Sequence, residues 1–282
     1  MHKFFLFFKL GLFCGLLVLC GFGYTFYKRQ FRLENIRLNH FEENTLLENL
    51  QNNNAIHEII AQPFHYLDRG RQSFVFGSQD GRYVLKFLDT HLFNFKKTDL
   101  IEKKMTRLIE GYRLAYTFDR EHTGLIFVQL APTKLKHLPI ALFDRFGFRH
   151  AIDLAHVPFI IQKKANPTRR VLSAYLRQGN VDAAKQHLRL IIDMYMDEYQ
   201  KGLYDRDHNF MYNTGFIEGQ PIRIDVGRLA ADNAIKQPEN FSKDLKKIAI
   251  DRTGGWMQRH FPVYREEILT DMQLKLHELG IN

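Results

Sequence analysis

Cysteine is almost missing from this chain of 282 residues: Cys14 and Cys20 are the only two, and residues 28–282 hold none. That excludes a disulfide scaffold, a thiol nucleophile and a thiolate metal site from everything past the first thirty residues. No H-E-x-x-H and no G-x-S-x-G run occurs, so two common hydrolase arrangements are excluded as well. The 13 histidines form no group at metal-ligand spacing. No internal repeat is visible, and the single tryptophan, Trp256, sits in an aromatic-rich C-terminal stretch where packing is its expected role. With 45% hydrophobic and 25% charged residues the composition is that of a globular chain, which removes disordered and low-complexity classes.

Acidic residues are the scarcer charge, 31 against 40 basic. Four of the basic ones, Lys3, Lys9, Lys28 and Arg29, lie within the first 29 residues, and the remainder of the chain carries 36 against 31. The excess is partly that of a membrane flank, and no nucleic-acid partner is expected. Between Leu10 and Tyr27 no charge occurs. At about 1.5 Å per helical residue, a span over residues 4–27 suffices for a hydrocarbon core of ~30 Å, with Lys9 snorkelling and Tyr24, Phe26 and Tyr27 in an aromatic belt. A cleavable signal peptide is the competing reading, although no small-x-small site follows the run. Lys3 and Lys9 on one side nearly balance Lys28, Arg29 and Arg32 on the other, so charge leaves the orientation open.

Residues 30–62, rich in Asn, Glu and Leu, read as a juxtamembrane helix and linker. Strand texture follows at Phe64–Leu67, Ser73–Gly77 and Arg82–Leu88, the last two joined by the hairpin signal Gln79-Asp80-Gly81. Thr98 is placed to cap a helix reaching Phe118, with Ile101, Met105, Leu108, Tyr112 and Ala115 on one face. Further strands are expected at Gly124–Leu130, at Ile140–Arg145 and Arg149–Leu154 around Phe146-Gly147-Phe148, and at Val157–Gln162. After Pro167 the pattern turns helical. Helices are expected at Arg169–Arg177, from an Asn180 cap to Gln200, at Ser242–Asp251 and at Tyr264–Leu279, with two short strands at Met211–Ile217 and Ile222–Ile224. This is an α+β chain of two lobes, a β-rich one before a mainly helical one.

Three segments carry chemistry. In residues 67–87, Gly70, Ser73 and Val75 lie at the junction of two strands, and Lys86 stands in the third strand. A small-residue loop admits phosphate oxygens to backbone N–H groups, and a lysine from the next strand adds charge. Residues 202–216 follow a long helix and hold Asp205, Asp207, Asn209 and Asn213. Residues 223–227 set Asp225 after an apolar strand and before Gly227. Carboxylate and amide oxygens suit a hard cation such as Mg2+.

In this order the motifs resemble the protein-kinase-like fold. The family's G-x-G-x-x-G-x-V resembles Asp68-Arg69-Gly70-Arg71-Gln72-Ser73-Phe74-Val75, its V-A-I-K resembles Tyr83-Val84-Leu85-Lys86, its H-R-D resembles Asp205-Arg206-Asp207, and its D-F-G resembles Asp225-Val226-Gly227. The resemblance covers about residues 64–230. Asp68 and Ser73 stand for glycines, Asp205 stands for histidine, and five residues rather than four separate Asp207 from Asn213. No A-P-E signal follows.

The resemblance implies a bilobal kinase-like domain behind an N-terminal transmembrane helix. Residues 1–29 would be the anchor, 30–62 the linker, 63–165 the N-lobe and 166–282 the C-lobe. It implies ATP and Mg2+, with Gly70, Ser73 and Val75 covering the nucleotide and Lys86 on its α/β-phosphates. Glu110, or alternatively Glu102, would pair with Lys86, and the hinge from Gln162 to Ala165 would meet adenine. Asp207 would serve the acceptor hydroxyl, and Asn213 and Asp225 would hold the metal, with Asn209 a second candidate. The short C-lobe points to a small-molecule or lipid-linked acceptor, the acceptor itself being unknown. The domain would lie on the cytoplasmic, ATP-holding side of the membrane. A catalytically inactive kinase-like binding or scaffold protein is the alternative.

Overall fold

β-Branched and aromatic runs between Phe64 and Lys163 build a curled seven-stranded sheet in the order β4-β7-β3-β2-β1-β5-β6. Its strands are β1 (Phe64–Arg69), β2 (Ser73–Ser78), β3 (Tyr83–Leu88), β4 (Leu125–Gln129), β5 (Pro139–Phe143), β6 (Arg149–Asp153) and β7 (Phe159–Lys163). All neighbours are antiparallel except β1 and β5. The computed structural model describes residues 13–21, 31–37, 54–70, 72–90, 99–130 and 137–281. The β2–β3 turn forms at Gln79-Asp80-Gly81, where Gly81 takes φ +73° and the Asp80 carboxylate accepts the Ser78 hydroxyl and the Arg82 amide.

One face of the sheet closes over Phe64, Phe74, Phe76, Phe87, Phe127 and Phe159, all fully buried. Phe31, Ile36, Ile56, Ile59 and Ile60 join the same core, so this part of the 30–62 stretch is packed into the N-lobe. Helix α1 (Asn54–Ile60) supplies three of them. On the other face lies α2 (Asp99–Phe118), which buries Met105, Leu108, Tyr112 and Ala115 at helical spacing. Thr98, read as its cap, lies outside the described residues.

After β7 the chain passes through β8 (Asn166–Pro167) into α3 (Thr168–Arg177) and α4 (Val181–Gln200). The Asn180 side chain accepts the Ala183 amide at 3.1 Å and starts α4. Next come β9 (Leu203–Asp205), a four-residue helix α5 (Phe210–Asn213), the hairpin β10 (Thr214–Ile217) and β11 (Gln220–Arg223), and β12 (Leu229–Ala231) paired with β9. The strand expected over Met211–Ile217 is thus half helix. The amides of Tyr212 and Asn213 both reach the Asn209 carbonyl, and the Thr214 hydroxyl donates to Phe210 O, which winds this stretch into a turn. Helices α6 (Pro238–Lys246), α7 (Thr253–His260) and α8 (Arg265–Glu278) complete the second core around Leu188, Ile191, Tyr195, Trp256 and Met272.

The expected membrane span overlaps the described residues only at 13–21, which are helical with Phe13, Leu16, Leu17, Val18 and Leu19 exposed. No helix among the described residues is long and apolar enough to cross a membrane, so the transmembrane part of the expectation has no support in the structure.

Candidate active site

Where the two cores meet, a third cluster joins α2 to the β9–β12 region through Leu108, Tyr112, Leu203, Val226 and Leu229. Gly111 of α2 sets the distance. A Cβ there would stand 2.3 Å from the Val226 carbonyl oxygen, so only glycine lets the helix lie on the Asp225-Val226-Gly227 turn. Gly227 in turn faces Leu108, whose Cδ1 would be 2.5 Å from an added Cβ.

Lys86 points into this seam. Its ammonium donates a hydrogen bond to the carbonyl of Ile224, the residue before Asp225. Burial pulls the ammonium down to about 8, against the opposing pull of the Asp225 carboxylate. Val75 is the cross-strand partner of Lys86 in β2. Asp225 is exposed, and one of its oxygens accepts the Gly227 amide at 3.1 Å. Its own amide, at 3.1 Å, and that of Ile224, at 2.8 Å, both donate to the Asn213 carbonyl. Lys86, Asp225 and Asn213 are therefore brought together, although 138 residues separate Lys86 from its carbonyl acceptor. Asp207 stands on the same loop, half-buried, with an oxygen 4.0 Å from the Arg228 guanidinium.

Two expectations need correction. Glu110 does not meet Lys86. Its carboxylate accepts from Arg113 Nε at 2.8 Å and Nη2 at 2.6 Å on the outer face of α2, and this arginine holds it below the usual carboxylate range. Glu102 lies where side chains are not described. Among the described residues no carboxylate forms an ion pair with Lys86. Gln162 is not an open nucleotide contact either. It is buried between Val84 and Leu125, and its side-chain amide donates to Thr123 O and, at 2.8 Å, to Arg223 O. It ties the sheet to the second lobe.

The residues expected to cover phosphate lie at the end of β1 and the start of β2. The Gly70 amide donates to Ser73 O at 2.8 Å, and the Asp89 amide fastens Gln72 O at 2.8 Å. Asp68 is exposed, and its carboxylate accepts the neighbouring Arg69 amide. Arg69 pairs with buried Asp89.

Sequence reasoning missed the support beneath the loop. Arg223 is fully buried, donating to Glu198 through Nε and Nη2, both at 2.5 Å, and through Nη1 to Asp205 at 2.9 Å, with its guanidinium over Tyr195. Burial works against its charge, and the carboxylates outweigh burial and hold it well above the ordinary arginine value. Asp205, in the histidine position of the resembled motif, thereby links the strand before Asp225 to the Asp207 amide, which it accepts at 2.8 Å. The signal was a single arginine between two isoleucines, Ile222 and Ile224, just before Asp225. His208, at φ +53°, holds the loop to Asp244, which also accepts the Tyr199 hydroxyl at 2.7 Å.

A turn between the first two strands, a lysine on the third, a helix packed behind it and an Asp-x-Gly turn beside a carboxylate loop define this architecture. The arrangement resembles the protein-kinase-like fold. No protein-family profile and no curated protein matches the chain. Several solved structures are similar to it at low identity. A 2.2 Å crystal structure of WbdD is 14% identical with a TM-score of 0.42, over 76% of this chain and 45% of WbdD. A structure of the bifunctional kinase-methyltransferase WbdD is likewise 14% identical with a TM-score of 0.37, over 88% and 49%. Rv3197 from Mycobacterium tuberculosis, in complex with erythromycin, is 14% identical with a TM-score of 0.37, over 74% and 56%. The chain spans about half the length of these proteins.

The only group of acidic and histidine side chains spaced for a metal ion among the described residues lies elsewhere, at Asp119, Glu121 and His122. Two of its members already pair with the Lys201 ammonium, 2.7 Å from Asp119 and 2.6 Å from Glu121. This is an ion-pair cluster that clips α2 to the end of α4.

Proposed function

We propose that this chain is a divergent kinase-like phosphotransferase that moves the γ-phosphoryl group of ATP to a hydroxyl of a small-molecule or lipid-linked acceptor at a membrane face. The observation that carries the reading is the meeting of Lys86 with the Ile224–Asp225 turn, which Asn213 fastens from the catalytic-loop side. In this reading the Lys86 ammonium leaves its carbonyl partner to hold nucleotide phosphate, for which burial leaves it poorly solvated and strongly attracting. Gly70, Ser73 and Val75 cover the phosphates. Asp207 orients the acceptor hydroxyl and takes its proton as the new oxygen–phosphorus bond forms and the bond to ADP breaks. Arg228 adds positive charge beside Asp207. Asp225 and Asn213 offer the hard oxygens that magnesium takes, and the ion would neutralise phosphate charge.

A second reading is favoured by one observation. Among the described residues of α2 no carboxylate reaches Lys86, and its ammonium donates to a backbone carbonyl, as in a module that binds nucleotide without turnover. ADP release by the full chain in detergent or vesicles, with ATP, Mg2+ and a panel of hydroxyl acceptors, separates the two. Turnover that disappears in Asp225→Ala supports the enzyme. Turnover that survives that change removes the metal assignment. Nucleotide binding that is indifferent to Mg2+, with no ADP release for any acceptor, supports the inactive module.

A further inference from the structure

Just past α2 the chain makes a single 3-10 turn, Arg120–His122, and just past α4 it turns at Lys201 and Gly202 into β9. Charged side chains meet across this gap. Asp119 is fully buried, His122 and Lys201 are mostly covered, and Glu121 and Asp197 lie at the rim. The Lys201 ammonium donates to Asp119 Oδ1 at 2.7 Å and to Glu121 at 2.6 Å. The same Asp119 oxygen meets His122 Nδ1 at 2.9 Å, and the other ring nitrogen, Nε2, faces Asp197 Oδ2 at 3.7 Å. The second oxygen of Asp119 is buried and has no hydrogen-bond partner.

Donor counting decides what His122 has to be. A neutral imidazole carries one N–H and can serve one carboxylate. His122 has a carboxylate at each nitrogen, one from its own segment and one from α4, so only the imidazolium bridges both. Lys201 is already shared between Asp119 and Glu121. The buried Asp119, with one oxygen unpaired, therefore draws on the His122 proton as well. The other groups around the ring are Glu198 on α4, which adds to the pull of Asp119, and Lys201, which opposes it. Arg223 of β11, against which the turn packs, is taken up by Glu198 and Asp205. The Asp119 bond outweighs burial and holds the ring above the ordinary 6.5. From this cluster the chain leads to the candidate site on both sides. Thr123, next to His122, gives its carbonyl to the Gln162 side chain, which also bonds Arg223 O, just before Asp225. From Lys201, β9 runs to Asp205, whose carboxylate holds the Asp207 amide.

We propose that His122 is a proton-operated clasp between the lobes: with both ring nitrogens protonated it bridges Asp119 to Asp197 and holds the end of α2 on the end of α4, and on giving one proton to solvent it releases one of the two carboxylates and loosens the joint. The direction follows from linkage. The folded chain binds this proton more tightly than the unfolded chain, so the contribution is complete below about pH 6.5 and is lost as pH rises through the raised folded value. The loosened segments are those that carry the Gln162–Arg223 tie and the strand into Asp205 and Asp207. The clasp is independent of the phosphotransfer reading, and its test needs no turnover.

The test is amide hydrogen exchange of the full chain in detergent at about pH 6 and about pH 8.5, read as protection factors so that the intrinsic pH dependence of exchange drops out. Protection of residues 119–123 and 197–205 is expected to fall at the higher pH, while α8 stays level. His122→Gln should show the low protection at both pH values. Protection in the natural chain that does not change with pH overturns the proposal. So does a fall that persists in His122→Gln, which would assign the proton to another group, such as Glu198. Should His122→Gln not fold, Asp197→Asn at the rim takes its place: it leaves His122 one carboxylate and should shrink the pH response, and an undiminished response overturns the clasp.

Discussion

Lys86 is held in a position that works against its own charge. In the folded chain its ammonium lies near 8 rather than the ordinary 10.5, because it is buried and only Asp225 opposes the shift. The unfolded chain keeps that proton up to about pH 10.5, so the fold is penalised in full below pH 8, by about 3 kcal/mol, and the penalty fades as pH rises from 8 to 10.5. Lys86→Met should therefore stabilise the protein at pH 7 by up to about 3 kcal/mol in urea unfolding, with the gain shrinking towards pH 10, while nucleotide binding is lost. A destabilised variant at pH 7 would show that the pull of Asp225 and the Ile224 carbonyl outweighs burial. A lysine kept at such a penalty with no ion-pair partner among the described residues is the residue-scale feature on which the proposed phosphate contact rests.

At the scale of elements, the joint between α2 and the Asp225-Val226-Gly227 turn decides the site. Gly111→Ala would press a methyl group into the Val226 carbonyl, which is backbone and cannot swing aside. The helix must then lift, at a cost of about 1–3 kcal/mol and with loss of the Lys86–Ile224 contact. Gly227→Ala meets only the end of the Leu108 side chain and should be milder. Equal melting temperatures for the two variants would contradict this account. The same helix shows what the sequence could and could not disclose. Met105, Leu108, Tyr112 and Ala115 were legible because burial follows the helical period, and that period also places Glu110 on the outer side, which resemblance alone passed over. Lys86, Asp207 and Asp225 were singled out because each sits in a short local motif, and of these the fold brings Lys86 to the turn that holds Asp225. Asn213 was less so, since the turn around Asn209 absorbs the extra residue of the loop. The Arg223–Glu198–Asp205 network was hidden because its members come from three elements that only the fold brings together. The β5–β6 hairpin was visible as a pair, while its parallel docking on β1 depends on a non-local register.

Taken as a whole, the molecule has two separate cores and a thin seam. The sheet core and the helical core are distinct, and the cluster at Leu108, Val226 and Leu229, the Gln162 bonds, the Lys86–Ile224 bond and the Lys201 clip to Asp119 and Glu121 cross between them. A ligand held by Lys86 from one lobe and by Asp225 and Asn213 from the other would add a second bridge across that seam. Binding only the folded form, it stabilises by mass action, about 2.7 kcal/mol at 100 times its Kd. ATP with Mg2+ should raise the melting temperature of the full chain by several degrees at that concentration, since 1 kcal/mol moves Tm by about 2–4 °C in a domain of this size. With a chelator in place of Mg2+, or in Asp225→Ala, most of that shift should vanish. Lys86→Met should start from a higher Tm and gain nothing from ATP. If chelation leaves the wild-type shift unchanged, nucleotide is held by the lysine lobe alone, and the seam is closed by the protein's own contacts rather than by magnesium and phosphate.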